Sequence, residues 1–133
     1  MNVQLIQDAR AILGEGVRNE RSGRLHWVDI RAWLVHRFSS AGGSDSVFDF
    51  GQPVGSLGLG ADGSLVLAIC DEFGLARSGL GRMGQVVEVE KQLARNRINA
   101  GRCNASGRFW AGTMGSLSLM LARSTGWRRS AAL

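Results

Sequence analysis

The sequence predicts an all-β fold, and three observations lead to that prediction: its glycine content, its short apolar segments and a repeated turn. The 133 residues include 19 glycines but a single proline, a balance typical of many tight turns between short strands. With 44% hydrophobic residues, the chain can bury the core of about one domain. The apolar segments recur about every 8 to 12 residues, which favours a β-sandwich, barrel or propeller.

A recurring turn-and-strand unit favours the propeller among these three. An Asp-Gly or Ser-Gly turn followed by a strand is found at residues 21–27, 61–67 and 105–110. Successive copies begin roughly 40 residues apart, which is the length of one four-stranded propeller blade. A chain of this length therefore holds about three blades.

The alternation of apolar and polar residues gives the individual strands. Residues 2–7 predict an edge or closing strand. Residues 25–30 and 33–38, joined by Arg31-Ala32, predict an antiparallel hairpin. Further strands are predicted at residues 47–50, 55–59, 64–70, 72–76 and 109–113, with a surface turn over residues 39–46.

The basic residues are concentrated in the second half of the chain. Residues 1–66 hold six basic and seven acidic side chains, residues 67–133 hold ten and four, and no carboxylate follows Glu90. Clustered arginines attract nucleic acid through counterion release. Because no aromatic stacking platform or recognition helix accompanies them, the sequence does not predict a nucleic-acid-binding protein.

The apolar segments predict neither a membrane span nor a secretion signal. The longest apolar run, residues 65–70, is far shorter than the roughly 20 residues of a membrane span. Residues 1–10 lack the basic start and apolar core of a signal peptide, so a cytoplasmic location is expected. Cys70 and Cys103 lie far apart without a CxxC spacing and are expected to be buried thiols.

A small set of polar residues is typical of a ligand site. Arg97 and Asn99 lie two residues apart on an extended segment, so their side chains share one side and can face a small polar ligand. Glu15 lies between Gly14 and Gly16 in a predicted turn, an arrangement that suits a metal ligand. On spacing alone, a solvated edge for the Arg/Asn pair and a solvated carboxylate for Glu15 are the favoured interpretations.

The two histidines, His26 and His36, lie in predicted strands without an HxH or HxxxH partner. They are therefore expected to be ordinary sheet residues.

Several motifs together resemble the regucalcin (senescence marker protein)/gluconolactonase/luciferin-regenerating enzyme family. Their order and spacing match the family from about residue 9 to Met114, and the last motif is the most specific. The matching motifs are Leu13-Gly14-Glu15-Gly16, Gly23-Arg24-Leu25-His26-Trp27-Val28-Asp29-Ile30, Val35-His36-Arg37, Val54-Gly55-Ser56-Leu57, Arg97-Ile98-Asn99 and Gly107-Arg108-Phe109-Trp110-Ala111-Gly112-Thr113-Met114.

The resemblance implies a six-bladed β-propeller with one divalent metal, Zn²⁺, Ca²⁺ or Mn²⁺, in its central channel. It implies a hydrolase of sugar lactones in which Glu15 is a metal ligand and Arg97 and Asn99 bind the substrate. Such a metal polarises the lactone carbonyl and lowers the pKa of a bound water, while an arginine stabilises the developing negative charge. In the family, the other metal ligands and the general base lie on later blades, so no catalytic base is identified in this chain.

The sequence departs from the family pattern at two places before Met114. Asn99-Ala100-Gly101 replaces the usual Asn-Asp-Gly, and Asn104-Ala105 replaces an Asp-Pro. After Met114 the resemblance fades, which predicts a lactonase-like part over residues 1–114 and a divergent tail over residues 115–133.

Two hypotheses follow for the architecture: a truncated or frame-shifted family member, or a half propeller that a second copy completes. A non-catalytic metal-binding or interaction fragment is the alternative to a lactonase. An oxygen-ligand site needs about six ligands, and Glu15 supplies one.

Overall fold

The computed structural model describes residues 1–77 and 83–115, and its regular structure is entirely β. None of the residues it describes forms a helix long and apolar enough to cross a membrane. Ten strands are present: β1 Gly14–Asn19, β2 Arg24–Asp29, β3 Leu34–Ser39, β4 Ser44–Asp49, β5 Val54–Leu59, β6 Leu65–Ile69, β7 Glu72–Ala76, β8 Met83–Glu88, β9 Asn96–Cys103 and β10 Phe109–Gly115.

The strands form successive antiparallel sheets in which neighbours in sequence are neighbours in space. Strands β1 to β4 form one four-stranded sheet, β5 to β8 form a second, and β9 pairs with β10. The first strands of the three sheets lie next to one another, since β5 contacts both β1 and β9. This is the blade order of a propeller, with β1, β5 and β9 as the inner strands. The predicted all-β fold of about three blades is confirmed.

The turn repeat found in the sequence is also a structural repeat. Gly23, Gly63 and Gly107 have φ values of 81°, 79° and 77°, so each occupies the same left-handed position before the second strand of its sheet. In each turn the glycine N–H donates to the carbonyl oxygen three residues earlier, at 2.9, 3.1 and 3.0 Å. A residue with a Cβ is disfavoured at such φ values, which explains the recurring glycine.

The core lies between the sheets in two layers. Buried side chains of the first and second sheets, among them Val28, Val35, Leu57 and Leu67, form one cluster. Phe73 of the second sheet packs edge-on against Phe109 of the third, with ring centroids 5.6 Å apart, in the other cluster. Each sheet thus buries its apolar face against the next sheet.

Each inner strand carries a β-bulge. The register shifts between Glu15 and Arg18 in β1, between Val54 and Ser56 in β5, and at Asn99 in β9, where Ala100 and Ile98 pair with consecutive residues of β10. Bulges bend a strand and redirect its side chains, and they are common beside active sites. The inner wall of the propeller is therefore irregular where the candidate site residues lie.

The structure corrects several local predictions. The predicted surface turn over residues 39–46 is shorter, because β4 begins at Ser44, and Cys70 and Cys103 are half-buried. Residues 2–7 form no strand. Glu15 lies in β1 beside Gly16, whose φ is 68°, and not in a turn. The predicted hairpin is confirmed, but its connection is longer, because Trp33 (φ 65°) belongs to the turn and β3 begins at Leu34.

Both histidines are sheet residues, as predicted. His36 is stacked on Trp27, with ring centroids 4.7 Å apart, and its Nδ1 lies 2.8 Å from Asp45 Oδ2. Burial lowers the pKa of His26, although the Glu20 carboxylate opposes that shift. The neutral form of His26 is therefore favoured in the folded chain.

Asp29 fixes the segment that precedes β1. Its carboxylate, 3% exposed, accepts hydrogen bonds from the backbone N–H groups of Ile12 at 2.7 Å, Leu13 at 3.1 Å and Ala32 at 3.2 Å. Burial raises the pKa of this carboxyl, but the backbone donors outweigh burial and the net shift is downward. The charged form is thus the stable one in the folded chain.

We expect Asp29→Asn to lower the free energy of unfolding by about 1–3 kcal/mol at pH 7, because buried donors lose a charged acceptor. Because the pKa of Asp29 is lowered in the folded chain, the stabilisation by its carboxylate is complete above the unfolded-state pKa of about 4. It is lost as the pH falls through the folded-state pKa. Urea denaturation from pH 7 to pH 3 measures it, and the difference between wild type and variant should shrink below about pH 4. The same change at exposed Asp8 serves as the control; an equal effect of Asp8→Asn would contradict this role of Asp29.

Gly55 permits close contact between β5 and β9. A Cβ atom built on Gly55 would lie 1.9 Å from the Ile98 carbonyl oxygen, whereas one on Gly84 of β8 meets nothing within 4 Å. We expect Gly55→Ala to destabilise the fold by about 1–3 kcal/mol or more through overpacking. Gly84→Ala should leave the unfolding midpoint nearly unchanged. Thermal and urea unfolding of both variants measure this, and equal stabilities would refute a tight β5–β9 contact.

Candidate active site

Arg97 and Asn99 lie together on β9, as their spacing predicts. Arg97 Nη1 donates a hydrogen bond to Asn99 Oδ1 at 2.7 Å and lies 3.4 Å from the Ile98 carbonyl oxygen. Both side chains are half-buried. Asn99 is the extra residue of the β9 bulge, which the alternation of side chains along a regular strand does not predict.

The Arg97 contact determines how the Asn99 amide is oriented. A guanidinium can only donate, so the amide oxygen must face Arg97 and the amide nitrogen must point elsewhere. Within the described residues, the Asn99 NH₂ group has no hydrogen-bond partner. The pair therefore offers donors from both residues to a polar ligand.

Ile98 anchors both of these residues. Its side chain is 1% exposed and packs in the cluster with Phe73 and Phe109. Its N–H donates to the Cys70 carbonyl oxygen at 2.7 Å, and its own carbonyl faces Gly55. The residues on either side of Ile98 are thus held by a rigid backbone, which is what a binding group needs to act without reorganisation.

Glu15 of β1 acts electrostatically on Arg97. Burial lowers the pKa of Arg97, while the negative charge of Glu15 opposes that shift. Arg97 nevertheless remains a cation at any pH at which a protein is folded. The fold therefore brings a carboxylate, a guanidinium and an amide from two inner strands to one region.

The described residues do not by themselves form a metal site. Residues 1–77 and 83–115 contain no group of three or more His, Cys, Asp or Glu side chains placed to hold a metal ion. Glu15 is the one predicted ligand, its charge is shared with Arg97, and the Asn99 oxygen already accepts from Arg97. Because a calcium site takes six to eight oxygen ligands, about five to seven more would have to come from elsewhere.

A shared backbone acceptor joins the three inner strands. The Gly101 carbonyl oxygen of β9 accepts from Arg18 Nη2 of β1 at 2.6 Å and from Ser56 Oγ of β5 at 3.1 Å. Burial is the largest cause of the lowered pKa of Arg18, followed by the positive charge of Arg102. No local pattern predicts this role for Arg18, because the contact spans 83 positions of the chain.

A pocket of about 320 Å³ opens beside Arg97. Its wall includes Arg31 and Trp33 from the β2–β3 turn and Met114 from β10. The sequence predicts Arg31 in a connecting turn and Trp33 in a strand. The tertiary structure brings these residues together around one pocket, which Pro53, the residue before β5, also lines.

We expect the Arg97–Asn99 hydrogen bond to contribute measurably to stability. A double-mutant cycle with Arg97→Met and Asn99→Ala should give a coupling energy of about 0.5–1.5 kcal/mol in urea unfolding, as for a partly buried hydrogen bond. A second cycle pairs Asn99→Ala with Arg102→Met, at an exposed arginine of the same strand, and should give a coupling energy near zero. Equal coupling in both cycles would show that Asn99 does not orient Arg97.

Known proteins resemble this chain along most of its length. Residues 13–119 match the family described as the SMP-30/gluconolactonase/LRE-like region. The chain is 33% identical over 112 residues to 6-deoxy-6-sulfogluconolactonase of Pseudomonas putida, covering 78% of this chain and 36% of that protein. It is 29% identical over 115 residues to regucalcin of Gallus gallus, covering 86% of this chain and 38% of that protein.

A solved structure shows the same fold. The calcium-binding protein regucalcin of Agrobacterium tumefaciens superposes with a TM-score of 0.73 at 31% identity, over 79% of this chain and 36% of that one. The chain thus spans between 36% and 38% of the length of these relatives. Since the family match includes all ten strands, the chain belongs to the SMP-30/gluconolactonase/LRE-like family.

Proposed function

We propose that this chain supplies the substrate-binding part of a metal-dependent sugar-lactone hydrolase. The observation that supports this most directly is the Arg97–Asn99 pair, held on a bulged inner strand with its donors available to a ligand. The family contains relatives named as lactonases, among them the 6-deoxy-6-sulfogluconolactonase of Pseudomonas putida. Lactones are dense in carbonyl, ring and hydroxyl oxygens, which are acceptors for such donors.

The two residues have different roles in this proposal. Asn99 donates its amide N–H to a substrate hydroxyl, because its oxygen is already bound to Arg97. Arg97 presents its remaining N–H donors to the lactone oxygens, and its positive charge stabilises the negative charge that develops when the ring opens. Both effects depend on positioning, which the buried Ile98 between them provides.

Glu15 is proposed as one ligand of a divalent metal ion, Ca²⁺, Zn²⁺ or Mn²⁺. A relative is described as a calcium-binding regucalcin, and Glu15 lies on an inner strand close enough to act on Arg97. Residues 1–77 and 83–115 contain no group of three or more His, Cys, Asp or Glu side chains that could hold a metal ion, and in this proposal the remaining ligands and the general base come from outside them.

Two other hypotheses from the sequence remain proposals. One is the boundary between a lactonase-like part and a divergent tail, which the sequence predicts after Met114; β10 extends to Gly115, and residues 116–133 lie outside the described residues. The completion of the ring by a second copy is likewise a proposal. It is supported by the inner strands, which are arranged as in part of a propeller.

We expect Glu15→Gln to weaken binding of Ca²⁺ or Mn²⁺ by at least about tenfold, because it removes the charge of a carboxylate ligand. Isothermal titration calorimetry of the purified chain measures the affinity for the metal ion. A pH-indicator assay with D-glucono-1,5-lactone measures the rate of ring opening. The control variant is Glu72→Gln on β7, which should change neither quantity. Metal binding without hydrolysis would favour the non-catalytic alternative. Activity independent of both metal and Glu15 would contradict the proposal.

A further inference from the structure

The pocket beside Arg97 has features that the proposed function does not use. Its volume of about 320 Å³ is at the lower end of the range for small-molecule sites, about 300–1,000 Å³. It lies where the β2–β3 turn of the first sheet faces β9 and β10 of the third. A molecule held by Arg97 can therefore extend toward Arg31 and Trp33.

The charged residues of this pocket are all cationic. Arg31 and Arg97 line it, and no aspartate or glutamate is among its lining residues in the described part of the chain. Arg97 donates a hydrogen bond to Asn99 and is stabilised as a cation by the charge of Glu15. The exposed Arg31 guanidinium, in contrast, has no hydrogen-bond or ion-pair partner within residues 1–77 and 83–115. A guanidinium without a partner at a pocket wall suits a carboxylate, sulfonate or phosphate, which it can bind through two parallel N–H donors.

Trp33 adds a rigid apolar wall. Its side chain is 44% exposed, and its φ of 65° is unusual for an aromatic residue. The turn is nevertheless held on both sides, since Asp29 Oδ1 accepts from Ala32 N–H at 3.2 Å and the Trp33 carbonyl accepts from Phe50 N–H at 3.2 Å. Backbone strain that is maintained by such contacts is typical of ligand sites. An exposed indole offers a flat surface for the C–H face of a sugar ring.

We propose that this pocket selects sugar lactones that carry an anionic substituent, with Arg31 binding the anion and Trp33 stacking against the ring. The inference rests on the proposed function for the identity of the ring, but the role of Arg31 can be tested without turnover. Arg31 and Trp33 are specificity residues in this proposal, while Arg97 and Asn99 hold the lactone end. Carboxylate, sulfonate and phosphate share the chemistry that Arg31 would recognise.

The test is a binding comparison with ligands that cannot be hydrolysed. The probes are D-glucono-δ-lactam, which is neutral, and its 6-phosphate and 6-sulfonate analogues, titrated calorimetrically into the full chain. We expect both anionic probes to bind about tenfold more tightly than the neutral one. This difference in affinity should shrink at high salt, because salt screens the interaction of the anion with Arg31. Arg31→Gln should abolish this preference without changing the affinity for the neutral lactam. Arg21→Gln, the same change in the exposed β1–β2 turn, should preserve it.

Several outcomes would overturn the inference. Equal affinity for neutral and anionic probes would do so, as would a preference that survives Arg31→Gln or an absence of binding for all three probes. Trp33→Leu should lower the affinity for all three probes by the same factor. A loss of affinity confined to the anionic probes would contradict stacking of the ring on Trp33. Because hydrolysis of D-glucono-1,5-lactone is measured separately, an active chain without anion preference would refute only this inference. Anion preference without hydrolysis would refute only the proposed function.

Discussion

The close approach of β5 to β9 is the constraint on which the candidate site depends. Gly55 lies directly against the Ile98 carbonyl, and no side chain larger than hydrogen fits between them. Ile98 in turn donates its N–H to Cys70 and buries its side chain against Phe73 and Phe109. With its backbone fixed on two sides and its side chain in the core, Ile98 leaves its neighbours Arg97 and Asn99 on the inner wall. The Arg97–Asn99 pair is thus positioned by packing and not by its own hydrogen bond alone.

Each inner strand pairs regularly with its own sheet except at one β-bulge. The bulges in β1, β5 and β9 interrupt the ladder without breaking the sheets. Gly101 of β9 then accepts hydrogen bonds from Arg18 of β1 and Ser56 of β5, so one carbonyl links three sheets. Such polar links hold the inner wall, while the two apolar layers supply most of the stabilisation between sheets.

The electrostatics of the site favour anions over cations. Glu15 is the carboxylate that acts on Arg97, and the adjoining pocket adds Arg31 without adding an acid within the described residues. A divalent ion would have to be bound beside a guanidinium, so it needs more anionic ligands than Glu15 provides. Binding of a polar, electron-rich substrate needs no such addition. The described residues around Arg97 are therefore better suited to a polar or anionic molecule than to a cation.

The amino-acid sequence alone determined the fold class, the blade repeat and the family. Alternating apolar residues and recurring Asp-Gly or Ser-Gly turns are local signals, and the glycines at residues 23, 63 and 107 take the left-handed conformation that those turns require. The two-residue spacing of Arg97 and Asn99 likewise placed them side by side. Only the tertiary structure decided the strand bulges, the roles of Arg18 and Ser56 and the pocket that joins Arg31 and Trp33 to Arg97. These features arise where separate sheets meet, and contacts between residues tens of positions apart leave no periodic signal in the chain.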